Sequence, residues 1–271
     1  MKISKFIKWA LLVVTGVLLI ILTVTVSRVS DLRINPSSTV NNPAKARRLL
    51  QEMGEAHGIS RWDSLSTYRV VFGEEFYGTI GKMGSPFKES KVTLSMNYVA
   101  NSSTGQLSIL TGEGKNETWH IENGSTYTLN EAGVSIAEDN TDMKFWIPTY
   151  QYFVEFAKRI QEATAVEYVG LSKINGHEAE GVLASWNTVT PQRDIDQYII
   201  WIDTSTKRIV KIDYTIREMF PFLTGGAYFE NYKDFNGILL PTEFPVESNL
   251  VSDGLLHKMS ILDFEDTSGS E

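Results

Sequence analysis

The sequence predicts a mainly β, α+β protein: a strongly curled antiparallel sheet of about eleven strands with covering helices, preceded by a transmembrane helix. Three observations carry this expectation. From Tyr68 onward apolar residues recur at every second position, the period of a strand with one buried face. Turn signals rich in Asn, Ser and Gly divide that region into short segments. Short strands joined by hairpins pair antiparallel, because parallel pairs need long crossovers. Finally, residues 9–26, WALLVVTGVLLIILTVTV, carry no charge.

That uncharged run sets the expected topology. Its eighteen residues approach the roughly 20 that span a bilayer as a helix and exceed the about 7–15 of a signal-peptide core. The following SRVSDLR lacks a small-x-small cleavage site because Arg28 intrudes, so an uncleaved anchor is expected over a cleaved signal. Lys2, Lys5 and Lys8 precede the run and favour a cytoplasmic N-terminus. The expected organisation is a cytoplasmic tail at 1–8, a transmembrane signal anchor at 9–27, a linker at 28–42 and a curved-sheet domain at 43–271. The linker is read from polar residues around Pro36, and the domain is expected outside the cytoplasm.

The domain should open with a helix of about 14 residues. Asn42 suits its cap, Pro43 its first turn, Leu49, Leu50 and Met53 its apolar stripe, and Gly58 its stop. In KVTLSMNY, Val92, Leu94, Met96 and Tyr98 share one face. In RIVKIDYTI, Val210, Ile212, Tyr214 and Ile216 do the same. Further strands are expected at 67–74, 105–112, 116–122, 125–130, 165–173, 178–186, 195–203, 227–235 and 255–264. Turns are expected at Ser103-Thr104-Gly105, Asn123-Gly124, Asn175-Gly176 and Asn236-Gly237. A sheet this large should curl or close.

Two segments break the rhythm. DFNGILLPTEFPVES, 234–248, carries Pro241 and Pro245, and because proline cannot donate to a ladder an edge position is expected. IPTYQYFVEFAKRIQEAT, 147–164, has Pro148 at an expected helix start, with Tyr150, Phe153, Val154, Ala157 and Ile160 at helical spacing. This aromatic helix should plug or cap the concave side of the sheet.

Composition narrows the chemistry. A formal charge of -8 argues against nucleic acid, whose binders carry a basic face. The absence of cysteine removes disulfides, thiolate metal ligands, thiol nucleophiles and a lipid-modified cysteine. His57, His120, His177 and His257 lie far apart without metal-ligand spacing, and no nucleophile elbow, P-loop or dinucleotide fingerprint occurs. Glu74-Glu75 and Glu138-Asp139 are adjacent strand residues that point to opposite faces, and solvated edges account for them. Sequons at Asn101, Asn116 and Asn123 have meaning only in a glycosylating secretory route. No catalytic residue, metal site or cofactor is expected.

The apolar faces are more informative. Met96, Tyr98, Trp119, Tyr127, Trp186, Trp201, Tyr214 and Tyr228 are large or flexible side chains spread along strands. They suit either an ordinary filled core or a concave face left partly open for an apolar ligand.

Three ordered stretches carry a resemblance: INGHEAEGVLASW, DQYIIWIDTSTKRIVKIDYTI and AYFENYKDFNGILLPTEFPV. They resemble the bacterial lipoprotein-carrier superfamily of LolA and LolB, with its RseB-type sensors and other periplasmic hydrophobe-binding relatives. In that family a glycine-led strand precedes an lWiD hairpin and a strand ending in g-i-x-l-P. Gly176, Trp201-Ile202-Asp203, Lys207-Arg208 and Gly237 to Pro241 occupy those places here. The match covers 165–250, with the front half following by strand rhythm. It implies an incomplete barrel whose helices cover an apolar cavity for acyl chains.

On that resemblance, Leu94, Met96, Trp119, Phe153, Trp201, Ile212 and Tyr214 are the candidate cavity residues. The chain lacks the lipidated cysteine of LolB-type receptors, and a tether departs from the soluble shuttle of LolA-type carriers. The expected function is a membrane-anchored, non-catalytic domain that binds a lipid or lipoprotein acyl chain as carrier or sensor. The alternative is a structural or regulatory protein-interaction module with a filled core. Protease added to intact spheroplasts should degrade residues 28–271, and full protection would refute the expected topology.

Overall fold

The computed structural model describes Thr15 and residues 28–33, 42–130, 132–252 and 254–269. The tail at 1–8, the expected anchor at 9–27 apart from Thr15, and residues 34–41 of the expected linker lie outside them. No helix of the described residues is long and apolar enough to cross a membrane.

Asn42 opens the domain as expected: its side chain accepts from the Lys45 amide at 2.9 Å. Pro43 takes the first turn, where a missing N–H costs nothing. Helix α1 spans Pro43–Ala56 and buries Ala46, Leu49, Leu50 and Met53. Gly58, at φ +74°, turns the chain into the single-turn helix α2, Ile59–Trp62. A Cβ at Gly58 would lie 1.9 Å from the Gly237 carbonyl oxygen, so both the backbone angle and the close approach demand glycine.

One antiparallel sheet follows, in two meanders. The first comprises β1 (Thr67–Phe76), β2 (Lys91–Val99), β3 (Gly105–Ile109), β4 (Thr118–Glu122), β5 (Ser125–Leu129) and β6 (Ser135–Ala137). The second comprises β7 (Ala165–Ile174), β8 (His177–Ser185), β9 (Tyr198–Asp203), β10 (Ile209–Thr215), β11 (Thr224–Tyr228), β12 (Glu230–Phe235), β13 (Ile238–Ser248) and β14 (His257–Asp266). Helix α3 (Gly78–Gly84) follows β1, and α4 (Thr141–Val154) with α5 (Phe156–Arg159) separates the meanders. β14 pairs with β1 and β13, so the first and last strands meet in the middle while β6 and β7 remain the two edges. The sheet is therefore strongly extended and not closed.

Fourteen strands replace the expected eleven for local reasons. The expected strand 227–235 breaks at Phe229 into β11 and β12, which differ in partners: β11 lies between β10 and β13, and β12 pairs with β13 alone. The segment 238–248 is a full strand, and the three-residue β6 is too short to show a period.

The edge position expected for Pro241 and Pro245 is overturned, because β13 is interior to the sheet. Its ladder to β12 includes Pro241 opposite Tyr232, whereas its ladder to β14 begins only at Glu243. Leu239 donates its N–H to the His57 carbonyl at 3.3 Å, away from β12. Strand alternation puts Pro241 on that same side, in the interval between His57 and the start of the β14 ladder, where no strand asks for its donor.

Helix α4 also starts earlier than expected. Asn140 caps it by accepting from the Met143 amide at 3.1 Å, and Asp142 lies in its first turn, so Pro148 falls inside the helix. An interior proline costs about 3 kcal/mol. Burial of Ile147, Tyr150, Phe153 and Val154 offsets it, at about 1.5–3 kcal/mol for each large apolar side chain. The helix then breaks at Glu155 and continues as α5 and a 3₁₀ turn at Ile160–Glu162.

Apart from the five-residue 130–134 link, the connections sort by length onto two ends of the sheet. Asn123-Gly124, Asn175-Gly176 and Asn236-Gly237 all have positive φ, the geometry of two-residue hairpins. With the 100–104 and 204–208 turns they form a turn end. The turn expected at 103–105 is displaced, with Asn101 at φ +56° making the reversal. Asn101, Asn116 and Asn123 all occupy left-handed positions, so turn geometry accounts for the asparagine of each sequon. The longer connections, 77–90, 110–117, 186–197, 216–223 and 249–256, gather at the opposite, loop end.

His57 ties α1 to the second meander. Its Nδ1 donates to the Leu239 carbonyl at 3.1 Å, so its Nε2 must accept, and it does so from the Ile209 N–H at 3.3 Å. Burial pushes its pKa down to about 4; the Leu239 carbonyl opposes this and Arg208 adds to it. As pH falls from 6.5 toward 4 the unfolded chain takes up a proton that the folded chain refuses. Stability should therefore fall by up to about 1.4 kcal/mol per pH unit in that window. Denaturant titrations of wild type and His57→Asn should show the stability gap narrowing as the solution is acidified; a constant gap would remove His57 as the cause.

Candidate functional site

Alternation decides which strand side chains meet over the concave face. On β2, Leu94 stands opposite Phe72 and Ile109, and Met96 opposite Val70 and Leu107. Directly paired residues share a face, so all six point toward α4. Trp119 joins them opposite Leu107. From the second meander Ile212 and Tyr214 reach the same space. Val210, expected on their face, packs on the outer face, because a bulge between Ile209 and Lys211 breaks the alternation. Phe153 of α4 sits edge-on to both Tyr214 and Phe244, with ring centroids 5.9 Å apart in each pair. Leu94, Met96, Trp119, Phe153, Ile212 and Tyr214 thus belong to one apolar cluster, with α4 laid across it.

Trp201 does not join them. It stands opposite Lys211 and Gly181 on the outer face, where its indole N–H donates to Asp213 at 2.7 Å. There it packs with Ala179, Leu183 and Ile199, and Leu32 of the N-terminal segment lies against them. The run Ile199-Ile200-Trp201-Ile202 is buried on both faces, so its apolar content could not reveal which parity faces the interior.

Two buried carboxylates hold α4, and sequence reading missed both. Glu155, at the end of the helix, accepts from the Tyr68 hydroxyl at 2.9 Å, from Gln151 at 2.9 Å and from Arg159 at 2.7 Å. Gln151 and Arg159 also donate to the carbonyls of Val99 and Ser102, fastening this end of α4 to the β2–β3 turn. Burial, with Glu155 adding, pushes the Tyr68 phenol well above its ordinary pKa.

At the loop end Glu74 takes the corresponding place. One oxygen accepts from His257 Nδ1 at 2.9 Å, and the imidazole is stacked on Phe76 and set edge-on to Trp146 of α4. The other oxygen faces the buried Tyr150 hydroxyl of α4 in a contact too poor in geometry for a full hydrogen bond. Burial pushes the Glu74 carboxyl up, with His257 opposing. The expectation of a solvated Glu74 is thus overturned. The signal was present in parity: Val70, Phe72, Glu74 and Phe76 share the apolar register of β1.

Two open grooves lie elsewhere on the surface. One of about 470 Å³ is lined by Tyr77, Thr79, Ile80, Val251 and Leu255, the other of about 530 Å³ by Pro43, Arg47, Thr164, Val166 and Thr188. Neither is lined by the residues beneath α4. Among the described residues no three His, Asp or Glu side chains gather as a metal-binding group.

No family sequence model matches the chain, and no curated protein matches it in sequence. Solved structures do match in fold. A Vibrio parahaemolyticus domain described as outer membrane lipoprotein-sorting aligns at TM-score 0.54 and 12% identity, over 85% of this chain and 95% of its own. A LolA superfamily protein from Nitrosomonas europaea aligns at 0.51 and 10%, over 81% and 92%. A DUF1329 family protein from Desulfovibrio piger aligns at 0.52 and 11%, over 84% and 94%. The chain has the LolA-like fold, an unclosed antiparallel sheet with helices covering its concave face.

Phe153→Ala should destabilise the domain by about 3–5 kcal/mol, because the ring is packed between Tyr214 and Phe244. A denaturant titration showing under about 1 kcal/mol would mean that α4 is not closed on the sheet in solution.

Proposed function

We propose that this chain is a membrane-anchored, extracytoplasmic domain that binds a lipid or lipoprotein acyl chain beneath α4, as a carrier or sensor and without catalysis. The observation that carries the reading is the unequal fastening of α4 over an apolar face. Glu155 accepts from three side-chain donors, whereas at the loop end Glu74 is bonded by His257 alone and meets the Tyr150 hydroxyl of α4 only in a weak contact. Fewer and weaker hydrogen bonds hold the loop end, so it is the cheaper one to open. Displacing α4 there would uncover Leu94, Met96, Ile212 and Tyr214. The fold likeness to a domain described as lipoprotein-sorting supports an acyl chain as the occupant. The uncharged run at 9–26 supports the anchor, and a tether favours action at one membrane over ferrying.

A second reading, a protein-interaction module with a filled core, is favoured by the complete burial of Leu94, Met96 and Ile212. Two measurements separate them. Organic extraction and mass spectrometry of the purified chain should recover lipid if it is a binder. Met96→Trp should abolish binding of a fluorescent fatty-acid probe while leaving the melting temperature near wild type, because a ring can occupy space that α4 vacates. In a permanently filled core the same ring would cost about 1–3 kcal/mol. A destabilised variant of a wild type that carries no lipid and binds no probe would leave the filled-core reading standing.

A further inference from the structure

We propose that the loop end of the sheet docks on the bilayer surface, with the β10–β11 loop, the β13–β14 loop and α3 as the contacting elements. The inference rests on the anchored reading above and adds an orientation and a contact surface to it.

The three elements form one surface. The Tyr77 N–H at the start of α3 donates to the Leu256 carbonyl at 2.9 Å. Asn249 donates from its side chain to the Phe222 carbonyl at 3.0 Å and from its amide to Thr224 at 3.1 Å. Ile80, Met83, Met219, Phe220 and Leu250 are exposed along this surface, Met83 by 77%. Leu110, Leu129, Val134 and Ile136 are also exposed, along the β3–β6 side of the sheet. At the turn end, by contrast, among the described residues, Val99 is the large apolar side chain that is exposed, and Leu171 and Leu262 stand singly within strands. Scattered exposed apolar residues are ordinary, but a cluster at one end marks a contact surface.

The occupant is indicated by where the chain enters the domain. Residues 28–33 do not run free: the Ser30 N–H donates to the Pro221 carbonyl at 2.9 Å, and Leu32 donates to the Gln197 side chain at 3.1 Å. Arg217 donates to the Ser30 hydroxyl at 2.7 Å and to its carbonyl at 2.5 Å. Val26, the last residue of the uncharged run, is four residues from Ser30, and four extended residues span at most about 14 Å. The tether between that run and Ser30 is thus no longer than this, and Ser30 is bonded to the loop that exposes Met219 and Phe220. A bilayer holding the run would meet this end of the sheet first.

Charge does not compete as an explanation. Glu218 adjoins Met219, Lys82 lies between Ile80 and Met83, and the chain carries -8 overall, so the contact would be apolar and insensitive to salt. The orientation also turns the incompletely bonded end of α4, at Trp146 and Tyr150, toward the acyl chains.

The absence of cysteine allows single-site labelling of the full chain. Phe220→Cys and Lys173→Cys, the latter beside the Asn175-Gly176 turn, would each carry an environment-sensitive fluorophore in proteoliposomes whose lipids bear an acyl-chain quencher. Label at 220 should lose most of its emission, in low and high salt alike, and label at 173 none. Equal emission at the two positions in chain that resists alkaline carbonate extraction would overturn the docking and leave the anchor intact. Chain released by carbonate would overturn both. Melting curves matching wild type would confirm that the labelled variants fold, and Met219→Cys provides a second site on the same loop.

Discussion

The antiparallel pairing of β1 with β14 holds the two halves of the sheet together. Every other ladder joins strands near one another in sequence, but this one sets Tyr68 against Asp266 and Phe76 against His257. Without it each meander would present an apolar face to water, and α4 would have only half a surface to cover. The bulge between Val71 and Phe72 sharpens the local twist at the seam and helps the sheet bend around the helix. The same register brings Glu74 within reach of His257, so the seam also creates the loop-end fastening of α4. Contacts this distant in sequence are bought with loop-closure entropy and tend to slow folding.

Across that seam the helix is held by chemistry of two qualities. Glu155 has donors from a strand, from its own helix and from Arg159, whereas Glu74 has a single imidazole. A buried carboxylate is tolerable only when its partners replace water, so the two ends differ in what it costs to disturb them. Local opening starts where fastening is weakest. Pro148 interrupts the backbone of α4 within the loop end, between Trp146 and Tyr150, and the break at Glu155 separates α4 from α5. The helix is therefore built with a firm end and a loose end, and the loose end shares its side of the sheet with the exposed loops and the incoming N-terminal segment.

The outer face accounts for the most recognisable residues of the family-like stretches. Trp201 covers Gly181, where a Cβ would lie 2.8 Å from the indole, and its N–H is held by Asp213. Asp203 accepts from the amides of Ser205 and Thr206, shaping the turn into β10. Lys211 bridges Asp213 and Glu247 across the sheet at 3.0 and 2.6 Å. These residues build turns and cover the convex side, whereas Ile212, Tyr214 and Phe244 of the same stretches face the space beneath α4.

What the sequence determined by itself is what local physics controls. The cap at Asn42, the alternation on β2 and the three Asn-Gly hairpins depend on residues within a few positions of one another. The start of α4 was equally local, in Asn140 and Asp142, but the proline at 148 was the louder signal and misled. Only the tertiary structure decided the rest. Whether β13 is an edge depends on the return of β14 to β1, which no local pattern encodes. The outward direction of Trp201 emerges only from its pairing with Gly181 and Lys211, because a strand buried on both sides has no parity to read. Glu74 lies in the core because its partner, His257, is 183 residues away and reaches it only once the seam has closed.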